Sequence, residues 1–167
     1  MFRFFHRYGF GIQSPWAYSL VRNVLFESLR YYAYDDLRRK YPTQSRKERK
    51  RNEQLFRIVN HFKPSEIAVA GNCPPSTTDY LQAPIGSAIL PTPTAASAFF
   101  YFAPEVRGEA PGELPANAVV IIDDICHSNK MLWEQFLQKP QVTAIFDMGY
   151  RGVLFFDPKR IRQTYQL

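Results

Sequence analysis

Apolar positions recur at helical spacing up to Pro64 and in short continuous runs beyond it. After Gln13-Ser14-Pro15, the residues Ala17, Leu20, Val21, Val24, Leu25 and Leu29 form one stripe of a helix. Ser14 suits its N-cap, where a hydroxyl accepts from a free N–H of the first turn, and Pro15 suits its first position. Tyr31, Tyr32 and Tyr34 lead into Asp35–Arg39, a second short helix with packed rings and solvated charges. A third helix starts near Ser45 and stops before Pro64, which cannot continue it. Leu55, Phe56, Ile58, Val59 and Phe62 give its second half an apolar face. Arg46 to Glu53 have none and read as a solvated helical extension.

Glu66-Ile67-Ala68-Val69-Ala70-Gly71 is short, apolar and closed by glycine, the profile of a buried parallel strand. Asn72-Cys73-Pro74-Pro75 is a turn, Ser76–Leu81 a short helix, and Ser87–Leu90 a further strand. Thr94 to Phe102 reads as a helix rich in alanine and phenylalanine. Ala103 to Asn117 holds Pro104, Gly108, Pro111, Gly112 and Pro115 and is a loop. Ala118–Asp123 is the clearest strand, followed by a helix over Ser128–Leu137 that Pro140 closes. Val142–Asp147 and Gly152–Phe156 are two strands joined by the short turn Met148-Gly149-Tyr150-Arg151. Strands alternating with helices and ending in a hairpin predict an α/β domain, its sheet mostly parallel with one antiparallel strand. The expected division is a helical N-terminal region, residues 1–63, packing on an α/β domain of residues 64–167.

With 167 residues, 46% of them hydrophobic, the chain suits one globular domain. At this length roughly 70% of the unfolded surface is buried without help from disulfides or metal. No apolar run approaches the ~20 residues of a membrane span. Met1-Phe2-Arg3-Phe4-Phe5-His6-Arg7 breaks its aromatics with charge, unlike a signal peptide. Cys73 and Cys126 lack metal-ligand spacing and fit a reduced cytoplasmic interior. The net charge of +6 is local: Arg38 to Arg51 holds eight Lys/Arg against Glu48 alone, or +7, which leaves the rest at −1.

Strand, Asp123-Asp124-Ile125, helix, Pro140-Gln141-Val142-Thr143, Asp147 and Gly152–Phe156 resemble the C-terminal third of class I S-adenosylmethionine-dependent methyltransferases. The likeness is closest to a bacterial O-methyltransferase-like branch. That branch has a Gly-Val-His-Ser-Pro-Phe-like motif, matched by Gly11-Ile12-Gln13-Ser14-Pro15-Trp16, and an aromatic stretch like Tyr31-Tyr32-Ala33-Tyr34. It also has a helix like Leu55–Pro64 leading into the first strand. The resemblance covers 9–81 and 117–167 and implies a Rossmann-like three-layer sandwich, shortened here. It implies S-adenosylmethionine as the cofactor, if the chain takes one at all.

The departures from that pattern fall on the cofactor motifs. Val69 stands at the acidic position of the first strand, Gly71 is the one glycine of the turn retained, and Pro75 replaces the second. About 20 residues on, where an acid should take the ribose hydroxyls, the chain reads Leu90-Pro91-Thr92-Pro93. Each charge-assisted hydrogen bond contributes ~1.5–3 kcal/mol, so losing two weakens binding by about 100-fold or more. The segment from Phe102 to Asn117 is too short for the third strand, its helix, the fourth strand and the next helix. Alternatively Ser87–Leu90 is the fourth strand, and the second and third are missing.

By this resemblance the candidate cofactor contacts are Gly71, Asn72, Cys73 and Thr92. Asp123 and Asp124 end the best strand, where metal-dependent O-methyltransferases hold a divalent cation against an acceptor oxygen. The plainer alternative, which we prefer, makes one of them a helix cap and the other a relic, so no metal is expected. Cys126-His127, His6, His61 and Cys73 are taken as structural. In the basic segment, Arg46, Lys47, Arg49, Lys50 and Arg51 offer phosphate or carboxylate pairing. Tyr41 is its one aromatic, and a solvated helical face is the plainer account. The expected function is a methyltransferase-like protein with an eroded cofactor site that binds or interacts without catalysis. An active O-methyltransferase and a binder of nucleic acid or an acidic partner are the alternatives. No membrane is expected as a partner; self-association through exposed sheet edges is.

Overall fold

The computed structural model describes residues 8–94 and 97–167. The charged aromatic opening Met1–Arg7, with His6, lies outside the described residues, as do Ala95 and Ala96 of the helix expected over Thr94–Phe102. Among the described residues are five α-helices and a seven-stranded sheet, arranged in two compact units. One unit takes in the residues up to Ser65 together with Pro74–Ala88. The other takes in Glu66–Cys73 and Ile89–Leu167.

The helical unit contains α1 (Pro15–Leu20), α2 (Ala33–Lys40), α3 (Arg46–Phe62) and α4 (Pro75–Gln82). Ser14 caps α1 as expected, its hydroxyl accepting from Ala17 N–H, and Pro15 occupies the first turn. The stripe does not continue to Leu29. A π-turn over Val21–Leu25 ends the helix, and Leu29 is 67% exposed. The carbonyls freed there are taken by α3. Gln54 Nε2 donates to Leu25 O at 2.8 Å, and Arg57 Nε donates to Val24 O at 2.8 Å. At the start of α3, Ser45 and Glu48 form a capping box, so the helix begins at Arg46, but the expected solvated extension stops short of Asn52 and Glu53, which are buried. Tyr34 and Phe56 meet edge to face at 5.0 Å in a core with Leu37 and Tyr80. Asp79 of α4 accepts from Tyr41 Oη at 2.6 Å and pairs with Lys40.

The sheet is made of β1 (Glu66–Ala70), β2 (Ala88–Leu90), β3 (Phe99–Phe102), β4 (Val119–Asp123), β5 (Ala144–Asp147), β6 (Arg151–Phe155) and β7 (Gln163–Gln166), and the unit that holds all of it but Ala88 also holds α5 (Lys130–Gln138). Its strand order is β2-β1-β3-β4-β6-β5-β7. The ladders β1·β3, β3·β4 and β5·β7 are parallel, and β6 runs antiparallel to both β4 and β5. This mostly parallel α/β sheet is compatible with a Rossmann-like fold.

Phe99–Phe102 is a strand, which corrects the expected helix over Thr94–Phe102. Four consecutive aromatics suit a pleated surface buried on both sides, and all four are buried. β3 lies between β1 and β4, while Ala88–Leu90 is the edge strand beyond β1. β7 was not foreseen, because Gln163-Thr164-Tyr165-Gln166 is an edge strand with only Tyr165 buried.

Phe100, Phe102, Val120, Ile122 and Leu154 share one face of the sheet and pack with Trp133 and Phe136 of α5. The close fit depends on Gly152, where an added Cβ would lie 2.2 Å from Cζ3 of Trp133. Gly152→Ala is therefore expected to destabilise the fold by at least the ~1–3 kcal/mol of overpacking. Trp133→Phe in the same background should recover part of the loss. Urea unfolding of the two variants beside the parent measures both, and an unchanged midpoint for Gly152→Ala would contradict the packing described.

Candidate functional site

Along the sheet, strand order reverses at β1, which has β2 on one side and β3 on the other. In open α/β sheets the crevice outside the carboxyl ends at such a reversal is where ligands bind. Here that edge is formed by Gly71-Asn72-Cys73 after β1, Ala103–Val106 after β3, and Asp123–Asn129 at the end of β4. The turn Met148–Tyr150 before β6 completes it.

The chain fills this edge itself. Ala103 N–H donates to Ala70 O at 2.8 Å and Asn72 N–H to Pro104 O at 3.1 Å, carrying the β1·β3 pairing past the strands and into the turn. Gly71 has φ +92, and a Cβ there would stand 2.8 Å from Val106 Cγ2 and 2.9 Å from Ala103 O. Its missing side chain makes room for the segment after β3. Asn129, 1% exposed, ties the rest together. Its Nδ2 donates to Ala103 O and Asp123 O, both at 2.8 Å, and its Oδ1 accepts from Val106 N–H at 3.1 Å.

Asp123 and Asp124 point to different partners. Asp123 faces Arg151 across the β4·β6 ladder, and its carboxylate pairs with the guanidinium through Nε and through Nη2, the latter at 2.9 Å. Tyr101 Oη donates to the same carboxylate at 2.9 Å. The Arg151 side chain is 0% exposed. Burial works against its charge, but the Asp123 carboxylate outweighs it and holds the guanidinium above its ordinary pKa. Burial, then the Asp123 charge, pushes the Tyr101 hydroxyl well above its usual range, so it stays a donor. The carboxylate of Asp123 is thus committed to a structural triad.

Asp124 has φ +56 and holds the turn that precedes α5. Its Oδ2 accepts from Ser128 N–H at 3.0 Å and Ser128 Oγ at 2.6 Å, and its Oδ1 lies 3.0 Å from His127 Nδ1. Partial burial raises its pKa, and the hydrogen bonds from Ser128 and His127 overcome that and hold the carboxyl below its usual range. Neither aspartate caps the helix as expected: α5 has Asn129 at its N-cap with no side-chain cap bond, and Asp124 closes the turn before it. That turn delays α5 to Lys130, later than the expected Ser128. Among the described residues no group of three His, Cys, Asp or Glu is placed to hold a metal ion.

Of the other candidates, Cys73 is half-buried and Thr92 is exposed in the turn leaving β2. Cys126 is exposed, with its thiol 2.7 Å from Gly149 O, and His61 is exposed on α3. Pro75 is the first residue of α4, where a missing N–H has no cost. In the basic segment, Arg38 pairs with Glu53 at 2.6 Å, Arg39 with Asp36 and Lys40 with Asp79, while Arg49 lies 4.0 Å from Glu53. Arg46, Lys47 and Lys50 are exposed and have no ion-pair partner among the described residues.

Sequence reasoning missed Tyr101, Arg151 and Asn129. One signal was available: Arg151 directly precedes the apolar run Gly152–Phe156, where a buried cation needs an acid, though that acid, Asp123, lies across the non-local β4·β6 ladder. Comparison with protein-family models, with curated proteins and with solved structures finds no match.

Removing the Arg151 charge strands Asp123 in a buried setting, so Arg151→Met is expected to cost about 3–5 kcal/mol. Asp123→Asn in that background should recover part of it, and a double-mutant cycle by denaturant unfolding measures the coupling. For Asp124 the folded pKa lies below the unfolded value of about 3.9. Its stabilisation is therefore full above that pH and lost as pH falls through the folded pKa. Asp124→Asn should flatten this acid limb in unfolding curves taken at stepped pH.

Proposed function

We propose that the chain is a methyltransferase-like scaffold whose adenosyl-binding crevice has been closed, and that it works by binding a partner without catalysing methyl transfer. The sequence supports this at three positions: Val69 in place of an acid, Pro75 in place of a glycine, and Leu90-Pro91-Thr92-Pro93 where a ribose-binding carboxylate should stand. One observation carries the reading. Gly71 abuts Ala103 O and Val106, so the space a cofactor would need over the first βα turn is taken by the chain.

The residues at this turn do not fit an adenosyl group. The Asn72 N–H already donates to Pro104 O, and Pro74 and Pro75 contribute no N–H. The Asp123 carboxylate is held by Arg151 and Tyr101, and that of Asp124 by Ser128. No unengaged carboxylate remains at these positions for a ribose diol, a sulfonium or a metal-bound acceptor oxygen. What the scaffold retains is rigidity: the same contacts that close the crevice fix the edge of the sheet.

Calorimetric titration with S-adenosylmethionine and S-adenosylhomocysteine tests this. The expected result is no saturable binding, meaning a Kd weaker than about 1 mM, or about −4.1 kcal/mol. A micromolar Kd for either compound would overturn the proposal and restore an active O-methyltransferase.

A further inference from the structure

Between Arg30 and Glu53 the sequence sets nine Lys/Arg against four carboxylates, which accounts for most of the chain's net charge of +6. Within the helical unit these cations fall into two groups. Around an open depression of about 800 Å³, Arg30, Arg38 and Arg39 line the walls with Asp35 and Pro42. Each guanidinium there faces a carboxylate: Arg30 meets Asp35 at 2.6 Å, Arg38 meets Glu53 at 2.6 Å, and Arg39 meets Asp36. The depression is therefore close to neutral, with guanidinium planes held in place.

The second group, Arg46, Lys47 and Lys50, stands on the first turns of α3, exposed and without an acid partner among the described residues. Residues 46 and 50 are four apart and 47 and 50 three apart, so the three charges share one helix face. They also sit at the positive end of the helix dipole, a placement that costs stability and concentrates positive potential. Arg38 links the two groups, because it lines the depression and pairs with Glu53, which Arg49 of α3 approaches at 4.0 Å. Tyr32, whose carbonyl accepts from Asp35 N–H at 3.2 Å, directly precedes α2 and is 98% exposed.

We infer that this face of α2 and α3 binds single-stranded nucleic acid, with the phosphates on Arg46, Lys47 and Lys50 and a base stacked on Tyr32. Single strands are held by unpaired cations along the backbone together with exposed ring faces that any base can cover. A membrane surface would need an apolar face beside the cations, and the exposed neighbours of Arg46 and Lys47 are Ser45 and Glu48. An acidic protein would use the cations but leave the Tyr32 ring without a role. The inference rests on the helical unit alone and stands or falls apart from the closed crevice.

The test is fluorescence anisotropy of the full chain with a labelled single-stranded oligonucleotide, RNA and DNA, across a salt series. Binding should weaken with salt. Replacing Arg46, Lys47 and Lys50 by Gln should reduce the log–log salt slope by about 2, at ~0.7 per cation for single strands. Tyr32→Ala should weaken binding about 5-fold or more at an unchanged slope, from a stacked base worth ~1–3 kcal/mol at 1.4 kcal/mol per decade. All substituted side chains are exposed, and circular dichroism of each variant checks that it folds. Three results would overturn the inference: no binding to any single strand at low salt, equal retention of the Tyr32 variant, or binding confined to anionic vesicles or polyglutamate.

Discussion

Arg151 holds a full positive charge out of water, and the sheet edge is built to make that tolerable. An unpaired buried guanidinium would cost several kcal/mol. Asp123 lies directly across the ladder, and Tyr101 of β3 supplies a hydroxyl to the same carboxylate. Three adjacent strands are thereby fixed at one end by a single cluster. The pair also decides what Asp123 cannot do: a carboxylate needed to neutralise Arg151 is not available to a ligand.

The same logic extends along the edge. Asn129 satisfies Ala103 O, Asp123 O and Val106 N–H with one side chain, locking the segment after β3 to the end of β4. Gly71 then accepts that segment against its bare Cα. In an open α/β sheet these are the positions that would contact a ligand, and here their polar groups are met from within the chain. The helical unit is built differently. Its α3 holds the π-turn Val21–Leu25 through Gln54 and Arg57 and leaves its first turns in solvent, with Arg46, Lys47 and Lys50 unpaired among the described residues.

Most elements were legible because their apolar residues are clearly patterned. Leu55, Phe56, Val59 and Phe62 keep helical spacing in α3, and Val119–Ile122 and Val153–Phe155 are short apolar runs bounded by turns. Where the period is short or mixed, sequence misled. Phe99–Phe102 is apolar at every position, so periodicity could not separate strand from helix, and the preceding alanines favoured helix. β7 is polar except for Tyr165, whose ring stacks on Phe146 at 4.7 Å, and one buried position shows no period. Leu29 continues a helical spacing that a π-turn has already ended. At the site, Val69, Pro75 and Thr92 were visible as departures. The reason Asp123 is structural was not, because it lies in a cross-strand partner 28 positions away. The role of Gly71 was legible in kind, a close backbone approach, though the approaching group is the protein's own chain.

Amide hydrogen exchange resolved to single residues, with and without saturating S-adenosylhomocysteine, tests the closed edge most directly. The account predicts that the amides of Asn72, Ala103 and Val106 exchange about as slowly as the central β4 amides and do not change on adding the compound. Rapid exchange at these three amides in the free protein, slowed by the compound, would show a crevice that opens to take a ligand, and would contradict it.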